Sequence, residues 1–222
     1  MAALVTLLRL LRRTVALRAP FGLFLFPQWI ARWTIYPLSG RRAWWPGYEV
    51  ARHQRVYATL NDPDLMRRFA QNAPLPPGYG TRLDERVVEY PWVLARLGPD
   101  AHDLLDAGST LNWPYLLDHP LLREKRIALL TLAPELWYLP DHRLSYLFGD
   151  LRETRLRSGA FDAVTCISTI EHIGFAAPSR DGQRGAFDRP DEESGAPNER
   201  DPAATRAVMA QFRKALKPGG RV

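Results

Sequence analysis

Cysteine is nearly absent from this 222-residue chain, which contains Cys166 and no other. A single thiol excludes an intramolecular disulfide framework and a zinc site built from cysteines. Structural disulfides belong to oxidising compartments, so the sequence favours a reducing one and we expect a cytoplasmic protein. Cys166 lies inside an apolar run, residues 163–167, and we interpret it as a core residue.

Long hydrophobic runs are also absent. An apolar stretch near the N-terminus, residues 19–31, is interrupted by Pro20, Gly22 and Pro27. A helix needs about 20 apolar residues to cross a bilayer, and proline interrupts a helix. We therefore expect no transmembrane helix. A secretory signal is not expected either, because arginines recur through the preceding residues and no small-residue cleavage site follows.

Positive charge is concentrated in the first quarter of the chain. Residues 1–60 contain nine arginines and one acidic residue, Glu49, which gives +8. The whole chain carries +6, so residues 61–222 carry −2. On a helical wheel, leucines at positions 4, 7, 8 and 11 share one face and arginines occupy the other, a pattern typical of helices that lie in a membrane interface.

Three interpretations of this basic, tryptophan-rich segment stay open. It can pack against the rest of the protein or a protein partner, contact a membrane surface through residues 1–35, or bind single-stranded nucleic acid. Nucleic acid is the least favoured, since the slightly negative remainder of the chain argues against a broad phosphate-binding face. Peripheral membrane association is therefore one expectation for a cytoplasmic protein.

A turn-rich segment, residues 72–80, follows a predicted helical stretch over residues 46–70. Its prolines and glycines stop any regular element, which indicates a boundary or a functional loop. We predict a mainly helical extension over residues 1–70 and a second domain over residues 71–222, which begins with a helix at residues 84–97.

Short apolar runs then alternate with helical stretches, and each run ends in a turn or an acidic residue. The runs are residues 102–106, 126–132, 144–148 and 161–167. This alternation predicts an α/β fold with a mostly parallel, Rossmann-like sheet flanked by helices. In such sheets, ligands bind at the carboxyl ends of the strands.

Polar residues follow these runs in a set order. Asp106-Ala107-Gly108 ends the first run, Gly149-Asp150 the third, and Glu171-His172 follows the fourth, before Leu216-Lys217-Pro218-Gly219-Gly220. Residues 78–222 thereby resemble the S-adenosylmethionine-dependent methyltransferases with a Rossmann-like fold. The resemblance implies a transferase that binds S-adenosylmethionine and methylates a small molecule or a glycan.

The resemblance also implies which residues contact the cofactor. The turn after the first strand would lie under its methionine part, an acidic residue after the second strand would hold the ribose, and one after the third would face the adenine amine. By position, the implied cofactor-binding residues are Asp106, Gly108, Ser109, Asn112, Glu135, Asp150, Leu151 and Ser168.

His172 and Glu171 are the candidate catalytic residues. Methyl transfer is mainly a matter of orienting donor and acceptor, and a base helps when the acceptor is a hydroxyl. Imidazole exchanges protons near neutral pH, so His172 suits that role. Glu171 can orient His172, contact the cofactor or cap the next turn, and a purely structural role for both residues stays open. No metal-ligand spacing is present.

Two other functional classes stay open. A nicotinamide-dependent oxidoreductase shares the strand, turn and helix opening, but it requires a Gly-x-Gly-x-x-Gly turn that this chain lacks. A non-catalytic or truncated Rossmann-like binding module explains the single glycine of the turn. We expect a mobile insertion at residues 176–202, which has few apolar residues. We also expect a sheet that is incomplete at its C-terminal edge, in a chain that is a fragment.

Overall fold

A computed structural model of the chain describes residues 31–32, 34–132, 139, 143–173 and 201–222. Five strands form one sheet there in the order β3-β2-β1-β4-β5, and each neighbouring pair is parallel. The strands are β1 (Asp103–Ala107), β2 (Arg126–Thr131), β3 (Leu144–Phe148), β4 (Phe161–Thr165) and β5 (Leu216–Arg221). The predicted α/β fold with a parallel, Rossmann-like sheet flanked by helices is confirmed.

The strand order reverses beside β1. Leu105 in β1 pairs with Ala128 in β2 on one side and with Val164 in β4 on the other. The chain therefore leaves β1 in one direction through β2 and β3, and returns to the other side for β4. In parallel sheets such a reversal opens a crevice at the carboxyl ends of the two strands on either side of it. Here these strands are β1 and β4.

The residues group into two compact units, of which the second contains the whole sheet. This unit comprises residues 99–113, 122–136 and 140–222. Its core forms between the sheet and the helix Pro202–Ala215, which buries Val208 and Phe212 completely against Leu105 and Val164. Burial of such apolar side chains supplies most of the stability of a sheet–helix layer.

The last strand contains a proline and two glycines. β5 starts at Leu216 and includes Pro218, Gly219 and Gly220. The pairing of β4 with β5 is irregular between Phe161 and Ala163 of β4. Proline and glycine are tolerated where a strand bulges or lies at an edge, and β5 is an edge of the described sheet.

The first unit comprises residues 1–98, 114–121 and 137–139, and its described part is helical. Its helices, in chain order, are α1 (Ile35–Leu38), α2 (Tyr48–Leu60), α3 (Pro63–Gln71), α4 (Arg86–Leu94) and α5 (Pro114–Leu117); the helix Pro202–Ala215 of the second unit is α6. This unit extends to Gly98, and the predicted domain limits at residues 70 and 71 stay a prediction.

The predicted helical stretch over residues 46–70 consists of two helices. Asp62 stands between them and accepts hydrogen bonds from the N–H groups of Asp64 and Leu65, at 2.9 and 3.0 Å. An aspartate that caps the next helix in this way, followed by a proline at the first helical position, ends one helix and starts another.

The turn-rich segment at residues 72–80 is anchored within the first unit. The Tyr79 hydroxyl donates to the carbonyl of Val87 at 2.7 Å and contacts the Thr59 hydroxyl at 2.9 Å. Nearby, Arg52 and Asp84 form a largely buried ion pair at 2.9 Å. These contacts join α2 to the start of α4, so in this structure the segment is a connection between packed helices.

Two predicted segments lie outside the described residues. They are the amphipathic basic stretch of residues 1–30 and residues 176–200 of the predicted insertion. Among the residues that are described, no helix is long and apolar enough to cross a membrane.

Candidate cofactor-binding site

Asp106 organises the loop that follows β1. Its carboxylate is fully buried and accepts hydrogen bonds from the Leu111 N–H at 2.8 Å, the Thr110 hydroxyl at 3.2 Å and the Thr165 hydroxyl at 3.0 Å. Because Thr165 belongs to β4, the carboxylate joins β1 to β4 as well as closing the loop. These bonds give Asp106 a structural role, and its predicted contact with a cofactor stays a prediction.

Gly108 allows the loops after β1 and β4 to approach each other. Its φ is +108°, and a Cβ at this position would lie 2.0 Å from the Thr169 Oγ1 atom. Real Cβ atoms are not found that close to another heavy atom, and this φ disfavours any side chain. The glycine is therefore required by contact between two protein loops, and its predicted contact with the cofactor stays a prediction.

Ser109 is buried, and its φ of +57° is in the left-handed region. Its Oγ atom makes no hydrogen bond with any described residue. A buried hydroxyl without a partner costs about 1–3 kcal/mol, and the left-handed conformation costs a non-glycine residue about 1–2 kcal/mol more. Such costs cluster where a protein binds a ligand.

Asn112 joins the same loop to β3. Its side chain is buried, and its Oδ1 atom accepts a hydrogen bond from the Tyr146 hydroxyl at 3.2 Å. The other loop residue with a positive φ is Ser168, at +44°, which follows β4. The predicted methionine-side residues therefore lie on the loop after β1, which contacts the loop after β4 through Gly108 and Thr169.

Asp150 lies after β3 and is bound by a neighbouring arginine. Both carboxylate oxygens accept from the Arg152 side chain, at distances from 2.7 to 3.1 Å, and Oδ1 also accepts from the Arg152 N–H at 2.8 Å. Leu151 is buried in the core of the sheet unit. An adenine amine would have to share the Asp150 carboxylate with Arg152.

Glu171 and His172 are exposed in a short 3₁₀ helix, Ile170–His172, that follows β4. Cys166 lies between β4 and this helix. Burial and the negative charges of Asp106 and Glu171 raise the pKa of its thiol to about 12. A thiol with that pKa stays protonated and unreactive at neutral pH. The structure thus brings Asp106 and Glu171 to the same neighbourhood, and the interpretation of Cys166 as a packing residue agrees with its contact with the core.

Asp162 lies near the amino end of β4, away from the loops that follow the carboxyl ends of the strands. With Asp103, Arg126 and Lys217 it forms a charged cluster in which Lys217 Nζ is 2.7 Å from Asp103 and 2.8 Å from Asp162. Asp162 also accepts from the backbone N–H groups of His102 and Asp103. Hydrogen bonds from Arg126 and then Lys217 hold the pKa of Asp103 well below its usual range. This cluster joins the amino ends of β1, β2, β4 and β5.

Glu135, the predicted ribose-binding residue, lies outside the described residues. Within the described part of the chain, no group of three or more histidine, cysteine, aspartate or glutamate side chains has a metal-binding arrangement. Three residues that the sequence did not single out shape the site, namely Arg152, Thr165 and Thr169. Arg152 could have been found from the sequence, since an Asp-x-Arg turn brings the two charged side chains together. The threonines could not, because they contact residues of the β1 loop that lie more than 55 positions away in the chain.

The sequence matches no protein-family model and no curated protein at a significant level. Inferences about function therefore depend on the strand order and on the side chains described above.

Proposed function

We propose that the sheet unit binds S-adenosylmethionine and transfers its methyl group to a small-molecule or glycan acceptor. The observation that carries this proposal is the buried hydroxyl of Ser109 at the carboxyl end of β1, which makes no hydrogen bond with any described residue. That end of β1 borders the crevice where the strand order reverses, which is the ligand-binding position of open parallel sheets. A hydrogen bond to a ligand would offset the cost of burying this hydroxyl.

The residues present fit the methionine part of the cofactor better than its adenine part. Ser109 offers a free hydroxyl, and the hydrogen bonds of Asp106 and Asn112 hold the loop in place before a ligand arrives. Asp150 can accept from an amine only in competition with Arg152. S-adenosylmethionine, when bound, supplies a methyl group on a positively charged sulfur.

The other contributions come from this chain's side chains. Holding donor and acceptor in line is the main catalytic requirement. The loop after β1 meets this requirement because hydrogen bonds hold it in place before a ligand binds. His172 is exposed and can accept a proton from an acceptor hydroxyl and release it to water. Glu171 places negative charge in the neighbourhood of Asp106 and Cys166, where it favours a cationic ligand.

Titration calorimetry with S-adenosylmethionine and with NAD tests the proposal. We expect the first ligand to bind and the second not to bind. Binding of NAD alone would favour an oxidoreductase, and binding of neither would favour a non-catalytic module; both results would overturn the proposal. Asp150→Ala should weaken S-adenosylmethionine binding strongly, and unchanged affinity would remove the adenine assignment.

Ser109→Ala separates ligand binding from folding. Loss of one neutral hydrogen bond should weaken S-adenosylmethionine binding about threefold to tenfold. The same change removes a buried hydroxyl without a partner, so thermal unfolding should occur at the same or a higher temperature. Ser158→Ala, on an exposed turn of the same unit, is the matched control and should change neither property. Unchanged affinity in Ser109→Ala would contradict the role of this hydroxyl.

One observation favours the alternative of a non-catalytic module. The Arg152 side chain donates hydrogen bonds to both carboxylate oxygens of Asp150. The carboxylate is therefore already paired within the protein. If that pair is structural, Arg152→Gln should destabilise the sheet unit and leave ligand binding unchanged. If Arg152 competes with an adenine amine, the same variant should bind S-adenosylmethionine more tightly.

A further inference from the structure

The helical unit presents apolar side chains at the surface beside two exposed arginines. Between residues 35 and 45, four large apolar side chains are exposed; Leu38 and Trp44 are the most open, at 87% and 73% of their surface. The set consists of Ile35, Leu38, Trp44 and Trp45, and we call it, together with Arg41 and Arg42, the tryptophan surface. Exposed apolar clusters of this kind mark interaction sites.

Buried aromatic rings support this surface from below. Tyr36 and Tyr48 are almost fully buried and meet edge to face at 6.1 Å, and the Trp44 ring lies 5.2 Å from Tyr48. The Tyr36 carbonyl accepts from the Ser39 hydroxyl at 2.7 Å and from the Arg41 N–H at 3.0 Å. The loop is therefore held in one conformation although its tryptophans face outward.

The backbone of the loop is held in a costly conformation. Arg41 and Trp44 have φ values of 58° and 66°, and a left-handed conformation is rare for side chains this large. Gly47 closes the loop, and a Cβ there would lie 2.4 Å from the backbone nitrogen of Arg32. A conformation that costs energy and exposes a tryptophan is expected where the exposed side chain has a function.

The charge of the surface indicates its partner. Residues 34–48 contain Arg41 and Arg42 and no acidic residue, and neither arginine forms a salt bridge with a described residue. The Arg42 guanidinium lies over the Trp45 ring at 5.9 Å. Tryptophan rings prefer the headgroup level of a bilayer, and arginine binds phosphate with two parallel hydrogen bonds.

We propose that the tryptophan surface docks the protein on membranes that contain anionic phospholipids. Ile35, Leu38, Trp44 and Trp45 enter the interface between headgroups and acyl chains, while Arg41 and Arg42 contact lipid phosphates. The rigid base of Tyr36 and Tyr48 lowers the entropic cost of docking, because the loop is ordered before it binds. This inference does not depend on the proposed methyltransferase activity.

Co-sedimentation of the full chain with lipid vesicles tests the docking. We expect binding to phosphatidylcholine vesicles that contain phosphatidylserine, and little binding to phosphatidylcholine alone. Trp44→Ser with Trp45→Ser should reduce partitioning roughly tenfold or more, because two large rings lose their apolar burial. Arg41→Gln with Arg42→Gln should reduce it about 25-fold, since each arginine near an anionic surface contributes about fivefold.

Trp92→Ser is the matched control. Trp92 is exposed in the same unit and stacks on an arginine, with the Arg96 guanidinium 3.9 Å from its ring, but it lies outside the tryptophan surface. This variant should partition like the unchanged protein, and circular dichroism should show the same helix content in all variants.

Several outcomes would overturn the proposal. These are equal binding to neutral and anionic vesicles, an absence of binding to anionic vesicles, or an equal loss in Trp92→Ser and in the double tryptophan variant. Binding to a single-stranded oligonucleotide that requires Trp44 and Trp45, without binding to vesicles, would assign the surface to nucleic acid instead.

Discussion

Two buried polar residues of one loop, Asp106 and Ser109, differ in how their oxygen atoms are bonded. The carboxylate of Asp106 accepts hydrogen bonds from three described residues, whereas the hydroxyl of Ser109 has a hydrogen bond to none of them. A buried polar atom is stabilising when it is paired and costly when it is not. At this scale, Asp106 maintains the loop and Ser109 is available to a ligand.

Replacement of Asp106 should destabilise the sheet unit. Asp106→Ala leaves the Leu111 N–H and the hydroxyls of Thr110 and Thr165 without their acceptor, and we expect a loss of about 3 kcal/mol in the free energy of unfolding. Asp106→Asn keeps one acceptor oxygen and should lose less. Urea denaturation measures the change. Asp100→Ala, at an exposed position of the same unit, should lose less than about 0.5 kcal/mol. A similarly small loss in Asp106→Ala would contradict the structural role.

At the scale of elements, the site depends on contact between the loops after β1 and β4. These loops follow adjacent parallel strands, and they meet where Gly108 lies against Thr169 and where Asp106 receives the Thr165 hydroxyl. The Thr169 hydroxyl donates to the Ile167 carbonyl at 3.0 Å, which limits how far Thr169 can move away. A side chain at position 108 would therefore separate the two loops.

Gly108→Ala should lower the free energy of unfolding by about 3 kcal/mol or more, because an unfavourable φ and a steric clash add together. Gly159→Ala is the matched control. Its φ is +61° and no atom lies within 4 Å of the added Cβ, so it carries the conformational cost alone, about 1 kcal/mol. The difference between the two variants in denaturant unfolding measures the contact between the loops. Equal losses would contradict that contact.

At the scale of the whole molecule, each unit contains a group whose titration weakens the fold in acid. In the helical unit, burial and the charge of Arg52 lower the pKa of His53 to about 3, and its ring contacts the Tyr115 hydroxyl at 3.0 Å. Burial also lowers the pKa of His119. In the sheet unit, hydrogen bonds from Arg126 and Lys217 lower the pKa of Asp103.

The signs of these shifts agree. An unfolded histidine takes up a proton near pH 6.5, whereas folded His53 stays neutral down to about pH 3, so stability falls as the pH falls between these values. Asp103 stabilises the fold above the ordinary aspartate pKa of about 3.9, and this contribution is lost as the pH falls further toward its lowered folded pKa. Acid should therefore weaken the helical unit first and the sheet unit at lower pH.

His53→Gln tests this order. Between pH 6 and 4.5, His53 should contribute up to about 1.4 kcal/mol per pH unit to the dependence of unfolding free energy on pH. The His53→Gln variant should lose that slope, whatever its stability at pH 7. Asp103→Asn should keep the slope between pH 6 and 4.5 and lose the pH dependence of stability below about pH 4. Urea denaturation at a series of pH values measures both slopes. An unchanged slope in His53→Gln would contradict the buried neutral state.

Sequence patterns were sufficient for the strands β1 to β4 and for the class of fold. Apolar runs bounded by turn residues depend on local contacts, and the third run was predicted with the limits that β3 has, Leu144–Phe148. The break between α2 and α3 was missed, although Asp62-Pro63 is a local helix-start signal, because the apolar pattern continues through it. Helix limits were otherwise displaced by a few residues, as expected where ends are set by capping.

The arrangement of the site depended on contacts that no local pattern contains. Asp106 and Gly108 were singled out as ligand-contacting residues, yet their contacts with Thr165 and Thr169 join parts of the chain about 60 residues apart. Apolar periodicity reports which side of a strand is buried, and turn residues report where a strand ends. Which hydroxyl pairs with a buried carboxylate, and which one is left without a partner, is settled only when the strands lie side by side, because hydrogen bonds require atoms within about 3 Å of each other.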